Sequence, residues 1–590
     1  MKRFLCTVLL ALGLALPAHA EKVLRYAFLI AETGFDPAKI TDEYSRAVTA
    51  HIFESPYCYD PLARPVKMRP LTAEAMPQVD AEFKTFTIKI RPGIYFADDP
   101  AFKGHRRELT AQDYVFSLER LADPALNAPA WALLSDQAIL GLNERREAAL
   151  KGKKPFDYDT PLEGLRALDR YTLQIRTAES RPRLPQIVLS GSDLYGAVAR
   201  EVVEAYGDDI MAHPVGTGPF MLKSWRRNSQ IVLERNPGYR ERYYESEPAP
   251  DDAEGQAIAA RLKGRRIPMI DRVEITIIEE SQPRWLAFVN GQQDLLFRVP
   301  PEFVNIAMPN GKVAPNLAKR GIQLFRVPAS DLGYTYFNMD DPTIGGMTAA
   351  KVALRRAISL AWDTEREIRL LRRGQAIPAQ ADIPPDTSGY DPAYKSEMSD
   401  FDPARANALL DLYGYKDRDG DGWREMPDGS PLLLTWATQP DSLSRSYDEL
   451  FQINMQRIHL RTAFAPAKWP ENLKAAEANK LMMWFLANTA DNPDGQYFLQ
   501  LLYGPAVHTA NYGDFQHPRY DEIYRRLQSL PDGPERDSLF REAKRIQAAF
   551  MPMKVHVHRV IGDMAYPWVI GYRRPKFASD FWQYVDILPH

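Results

Sequence analysis

The sequence predicts an α/β chain folded into two lobes, and three observations carry that expectation. The chain is 590 residues long, beyond the size at which a single hydrophobic core keeps growing, so it divides into at least two domains or lobes. Short segments that alternate apolar and polar residues, the period of a half-buried strand, are interleaved along its whole length with segments of helical period. No unit of roughly 20–50 residues recurs, which excludes a solenoid or propeller, and strands mixed with helices leave the α/β class.

Residues 1–20 read as a cleavable signal peptide. Lys2 and Arg3 give a positive start, residues 4–16 are an almost unbroken apolar run, Pro17 ends it, and Ala18-His19-Ala20 has the small-x-small pattern of a cleavage site. The run is short of the roughly 20 residues a membrane span needs. Cys6 lies inside it rather than after a small-residue motif, which argues against a lipoprotein anchor. Cleavage is expected after Ala20, with a mature chain from Glu21. Losing Lys2 and Arg3, and no acid, takes the formal charge from -3 to -5. That is close to neutral for this size and argues against nucleic acid as a partner. Cys58 is then the one remaining thiol, so the fold rests on its core rather than on an internal disulfide.

Along the mature chain, residues 23–30 are a strand candidate broken by Thr33-Gly34-Phe35-Asp36-Pro37. Residues 86–90 alternate, Arg91-Pro92-Gly93 turns the chain, and Ile94-Tyr95-Phe96 is expected as the next strand. Thr110 with Asp113 three residues on predicts a helix start, and Tyr114, Val115, Leu118 and Leu121 give its apolar face. Residues 173–176 and 273–278 alternate again, and 349–371 have helical period. The acidic, Pro-containing run 243–264 is expected to be a solvated surface insertion.

Several segments, in fixed order, resemble the family 5 extracellular solute-binding proteins of the dipeptide- and oligopeptide-binding type. Residues 86–96 match the family's strand, turn and strand, and 109–118 the following helix. Pro214-Val215-Gly216-Thr217-Gly218-Pro219-Phe220 is the most specific piece, continuing through Trp225 to Leu233-Glu234-Arg235-Asn236-Pro237-Gly238-Tyr239. Tyr336-Phe337-Asn338-Met339, residues 351–363, Gly374-Gln375-Ala376, Pro384-Pro385 and residues 401–415 follow at familiar spacing. Gly216 and Gly218 read physically as positions where a β-carbon is forbidden, with Pro219 fixing the exit.

The resemblance implies a type II periplasmic-binding-protein fold of the large peptide-binding class, with two hinge crossings, placed here near Pro300 and Pro552. Lobe I is then 21–299, with an inserted subdomain, plus the return 553–590; lobe II is 300–552. It implies a periplasmic protein that acts as a monomer, captures a peptide or other small molecule in the interlobe cleft, and delivers it to a membrane ABC permease complex. In such relatives a Trp-x-x-Asp-like segment supplies a carboxylate for the peptide's ammonium. Trp484 and Asp491 match it, although Leu486-Ala487-Asn488-Thr489 lengthens the gap, which makes Asp494 a rival. Both aspartates can also be read as shaping a turn around Pro493-Asp494-Gly495.

No cofactor and no catalytic residue is expected. P-loop, dinucleotide, His-Glu-x-x-His and nucleophile-elbow motifs are all missing. Asp417, Asp419 and Asp421 alternate like a calcium loop, with Gly422 at the turn, Glu425 ninth and Asp428 twelfth. Pro427 and Asp428-Gly429-Ser430 point to a turn instead of an exit helix, so no bound metal is expected. His556 and His558 share one strand face and are expected at the surface. The other functions kept open are the same fold with haem, an opine, an oligosaccharide or a metal chelate as cargo, and a secreted hydrolase.

Overall fold

The computed structural model describes residues 21–590; the expected signal peptide lies outside them. β1 (Val23–Phe28) buries Leu24, Tyr26 and Phe28. α1 (Glu43–Ile52) starts at Asp42, whose carboxylate accepts the Ser45 N–H at 2.7 Å. β2 (Thr85–Lys89) follows as expected. The strand expected at Ile94-Tyr95-Phe96 does not form: Tyr95 makes one isolated bridge to Glu108. The amides there are used elsewhere, Phe96 N–H on the Arg107 carbonyl and Ala97 N–H on the Gly216 carbonyl, each at 2.9 Å. α2 (Ala111–Ala122) begins where Thr110 and Asp113 predict, the Asp113 carboxylate accepting the Thr110 N–H at 2.7 Å. β3 (Thr172–Arg176) pairs with β2 at the centre of a four-stranded sheet covered by α2.

β4 (Phe220–Arg226), β5 (Gln230–Arg235) and β6 (Arg272–Ile277) form a second sheet with β1, in the order β1-β6-β5-β4, with β1 parallel to β6. Between β5 and β6, the run 243–264 is less loose than its charge suggests. Residues 253–262 form a helix, Tyr244 and Leu262 are buried against Leu62 and Ile267, and Asp252 pairs with Arg573. Acidic composition sets only its outer face.

Pro214 to Phe220 packs against the end of α1. A β-carbon on Gly216 would stand 2.0 Å from the Ile52 carbonyl oxygen, and one on Gly218 would stand 2.5 Å from that of His51. Neither glycine has positive φ, so closeness of approach, not turn geometry, requires them. The Gly218 N–H donates to the Ile52 carbonyl at 2.8 Å, closing one of the helix's orphan acceptors. Beneath lies buried Glu54, held by Arg240 at 2.6 and 3.0 Å, Tyr239 at 3.0 Å and Thr217 at 2.9 Å.

β7 (Gln323–Pro328) leads through Ala329 and Ser330 into β8 (Asp331–Phe337), whose residues are all buried. α3 (Ala349–Ala361) covers most of the expected helix; it stops at Trp362, and Asp363 caps a fresh turn by accepting the Arg366 N–H at 2.9 Å. β9 (Leu433–Thr438), β10 (Arg461–Pro466) and β11 (Met483–Thr489) join β8 in the order β8-β11-β9-β10. β12 (Met553–Ala565) is 13 residues long. Its residues 553–557 pair with β8, and 560–565 with β7. His556 and His558 are buried, not at the surface: His556 contacts Thr335 Oγ1 at 2.9 Å, and His558 Nδ1 lies 2.6 Å from the Asp331 carbonyl. Trp362 and Phe485 pack against the His556 ring and Tyr390 against that of His558, so both are covered.

Gly216→Ala drives a methyl group into a backbone carbonyl that cannot move without tilting α1. It is expected to lower unfolding stability by about 1–3 kcal/mol in denaturant titration. Gly152→Ala, at the end of the helix Leu142–Gly152 with only the flexible Lys154 side chain nearby at 3.7 Å, is expected to be neutral or stabilising.

Candidate ligand-binding cleft

A cavity of about 320 Å³ lies between the sheet of β1 and the sheet of β8 and β11, within the range of ordinary small-molecule sites. Tyr26, Phe28, Tyr44 and Phe297 line one side; Ser330, Thr489, Ala490 and Asp491 line the other. Pro328, Ala329 and Ile561 close the back, and the returning C-terminal segment adds Arg574, Lys576 and Phe577.

α1 delivers the charges of the first wall. Glu43, Arg46 and Ala47 stand three and four residues apart and therefore share a face. Arg46 Nε donates to Asp193 at 2.5 Å and its Nη1 donates to Asp491 at 3.2 Å. Chiefly the Asp193 carboxylate, with Asp491 behind it, holds the guanidinium well above its ordinary pKa. Glu43 grips Arg298 at 2.8 and 2.9 Å. Buried Asp563 on β12 accepts the Arg298 N–H and the Arg574 Nε–H, both at 2.8 Å. Phe297 stacks under Arg574, 3.8 Å from ring centre to guanidinium. Lys576 pairs with Asp386 at 2.6 Å, and burial lowers its pKa.

The three residues singled out in the Trp484 segment part company. Asp491, two residues beyond β11, reaches the cavity with its side chain 49% exposed. Trp484 is buried inside β11, its ring 6.2 Å from that of Trp469, and does not line the cavity. Asp494 lies outside it too, in a seam of about 50 Å³. Arg536 Nη2 donates to both Asp494 oxygens at 2.7 and 2.8 Å, Ser388 Oγ and the Gln496 N–H add bonds at 2.8 and 3.0 Å, and Arg183 stands 3.6 Å away. Burial would raise this carboxyl, but the two guanidiniums outweigh it and hold it below the usual range. Ser180 Oγ donates to the Ser529 carbonyl at 2.9 Å beside this contact.

Asp417, Asp419, Asp421 and Glu425 bring oxygens within 4.8 Å of one another. Asp417 accepts the Gly420 and Gly422 N–H groups at 2.7 and 2.9 Å, Glu425 accepts the Arg418 N–H at 2.7 Å, and Asp421 pairs with Arg461. Asp428 bonds Ser430, and a tight turn follows in place of an exit helix. Arg46, Asp193, Arg298 and Arg574 are among the cleft residues that sequence reasoning missed. They come from four distant segments, and no local spacing marks them.

The fold and cleft define a two-lobed binding protein of the type II class. The chain belongs to the bacterial extracellular solute-binding proteins, family 5, whose middle-region profile matches residues 67–509. It is 26% identical over 588 residues to di/tripeptide-binding protein 2 of Pseudomonas aeruginosa (strain UCBPP-PA14), covering 97% of each chain. It is 22% identical over 581 residues to heme-binding protein A of Haemophilus influenzae, covering 95% of this chain and 92% of that one. Among solved structures, it superposes with a TM-score of 0.68 and 20% identity on the ABC transporter-associated periplasmic binding protein DppA from Helicobacter pylori in complex with peptide STSA. That match covers 96% of this chain and 98% of that one.

Asp494→Asn leaves Arg536 and Arg183 without their buried anion. It is expected to cost about 3–5 kcal/mol of unfolding stability at neutral pH. The folded carboxyl lies below the ordinary value of 3.8. Its stabilisation is therefore complete above that pH and is lost as pH falls through the lower folded value. Denaturant melts at a series of pH values should show a constant gap between wild type and variant near neutrality, narrowing below about pH 4.

Proposed function

We propose that this chain is the periplasmic solute-capturing component of an ABC importer, that its cargo is a short peptide, and that Asp491 anchors the peptide's free ammonium. The observation that carries this reading is Asp491 itself, an accessible carboxylate on the wall of an aromatic-lined cleft. A desolvated ammonium needs an opposing charge, and charge-assisted bonds supply it. The peptide named with the Pseudomonas relative and with the Helicobacter structure supports the cargo. Asp494, with both oxygens engaged by Arg536, fits a structural part better.

We assign the lobe crossings to Ala329-Ser330 and to the middle of β12, in place of Pro300 and Pro552. Residues 304, 307 and 317 pack with Met564 and Tyr566, on the side of β1, and β12 changes partners between residues 557 and 560. The protein acts without catalysis, as a monomer that hands its cargo to a membrane permease. Membership of a solute-binding family supports this reading. N-terminal sequencing of the exported protein is expected to begin at Glu21; a start at Met1 contradicts cleavage.

Calorimetry with Ala-Ala-Ala and N-acetyl-Ala-Ala-Ala tests the anchor. Wild type is expected to prefer the free amine. Asp491→Asn is expected to lose about 1.5–3 kcal/mol for it, roughly ten- to a hundredfold in affinity, and to discriminate far less. Equal affinity in wild type and variant removes Asp491 as the anchor. The haem-binding relative sets the competing cargo: no binding of either peptide, with a Soret shift on adding haem, overturns the peptide reading.

A further inference from the structure

The site has a feature that the anchor alone does not require. Arg46, Asp193 and Asp491, with Phe577, line both the 320 Å³ cavity and a neighbouring cavity of about 40 Å³, so the trio forms part of the wall between them. Within it the two contacts of Arg46 are unequal. The Asp193 contact is 2.5 Å long and its carboxylate is nearly buried; the Asp491 contact is a single bond of 3.2 Å to a half-exposed carboxylate. Asp193 is itself tied down, its backbone carbonyl accepting Thr49 Oγ1 from α1 at 3.1 Å. Among the described residues Arg46 is the ion-pair partner Asp491 has, and the pair joins opposite walls of the cleft. Two carboxylates and one guanidinium leave a net charge of one negative.

We infer that Arg46 is a specificity-determining residue: it lends one donor to Asp491 before ligand arrives, yields that carboxylate to an incoming primary ammonium, and stays on Asp193. This rests on the reading of Asp491 as the ammonium anchor. One ammonium brings the trio to neutrality. An acylated amine does not, and finds Asp491 still engaged by Arg46. Every free-amine ligand must displace the Arg46 contact and an acylated one need not, so Arg46 lowers the affinity for free amines, narrows their margin over acylated ligands, and sets how strong a cation must be to enter.

The test uses Arg46→Met, which keeps the stem and removes the charge, and Arg46→Lys, which keeps the charge. Calorimetry with Ala-Ala-Ala is expected to show Arg46→Met binding roughly two- to fivefold more tightly than wild type, the scale of a partly exposed ion pair. N-acetyl-Ala-Ala-Ala should be unchanged, and Arg46→Lys should stay near wild type. A merely structural role predicts weaker binding of both peptides. A second measurement needs no ligand: thermal melts of Arg46→Met, Asp491→Asn and the double variant. They should be non-additive, the double variant losing no more than the worse single one. Additive losses, or Ala-Ala-Ala bound no more tightly by Arg46→Met, overturn the inference. Non-additive melts in a protein that binds no peptide leave the ion pair standing, and overturn the cargo reading together with the selectivity drawn from it.

Discussion

The Ile52 carbonyl lies where a side chain on Gly216 would have to stand, and the first wall of the cleft depends on that contact. The contact sets how closely the Pro214-to-Phe220 segment approaches α1, and so where the axis of α1 runs. Glu43 and Arg46 stand on the same short helix, so they inherit whatever error the packing at its far end allows. Buried Glu54, with Arg240, Tyr239 and Thr217 around it, holds the same corner from below. Removing one member of such a network leaves the others unsatisfied, which makes the corner stiff and lets a site far from it be exact in position.

Asp491 and Asp494 are three residues apart and have opposite fates. One keeps its side chain 49% exposed at a cavity, the other 5% exposed within two guanidiniums. The difference comes from Arg536 and Arg183, which arrive from remote parts of the chain. A carboxylate that is buried needs full compensation, and once compensated it has nothing to offer a ligand. A carboxylate that is half solvated and lightly paired remains available. The neighbours of each aspartate, not its motif, decide which task it can perform.

Much of the framework was legible in the sequence because it is governed by local periodicity. β2, β3 and β6 follow alternation, β1 follows a short apolar run, and α2 begins where Thr110 and Asp113 say it should. The departures share one cause, tertiary partners that no local window contains. Ile94-Tyr95-Phe96 loses its ladder to Gly216 and Arg107. The run 243–264 is anchored by Tyr244 and Leu262 despite its charge. His556 and His558 are covered by Trp362, Phe485 and Tyr390, which arrive from other segments. In the site, Asp491 could be singled out by resemblance, whereas Arg46, Asp193, Arg298 and Arg574 gain their meaning only when four distant segments meet.

The two ends of the described chain also meet. Lys22 pairs with Asp586 at 2.6 Å across 564 positions, and Trp582 and Phe581 pack on Tyr26 in the core beneath β1. The core that forms first in sequence is therefore the last that can be completed. A chain made or threaded N-terminus first holds β1 without its covering aromatics until almost all 590 residues have emerged. Closure over so long a separation is slow, so the sheet of β1 stays partly uncovered until the residues around Phe581 and Trp582 can reach it.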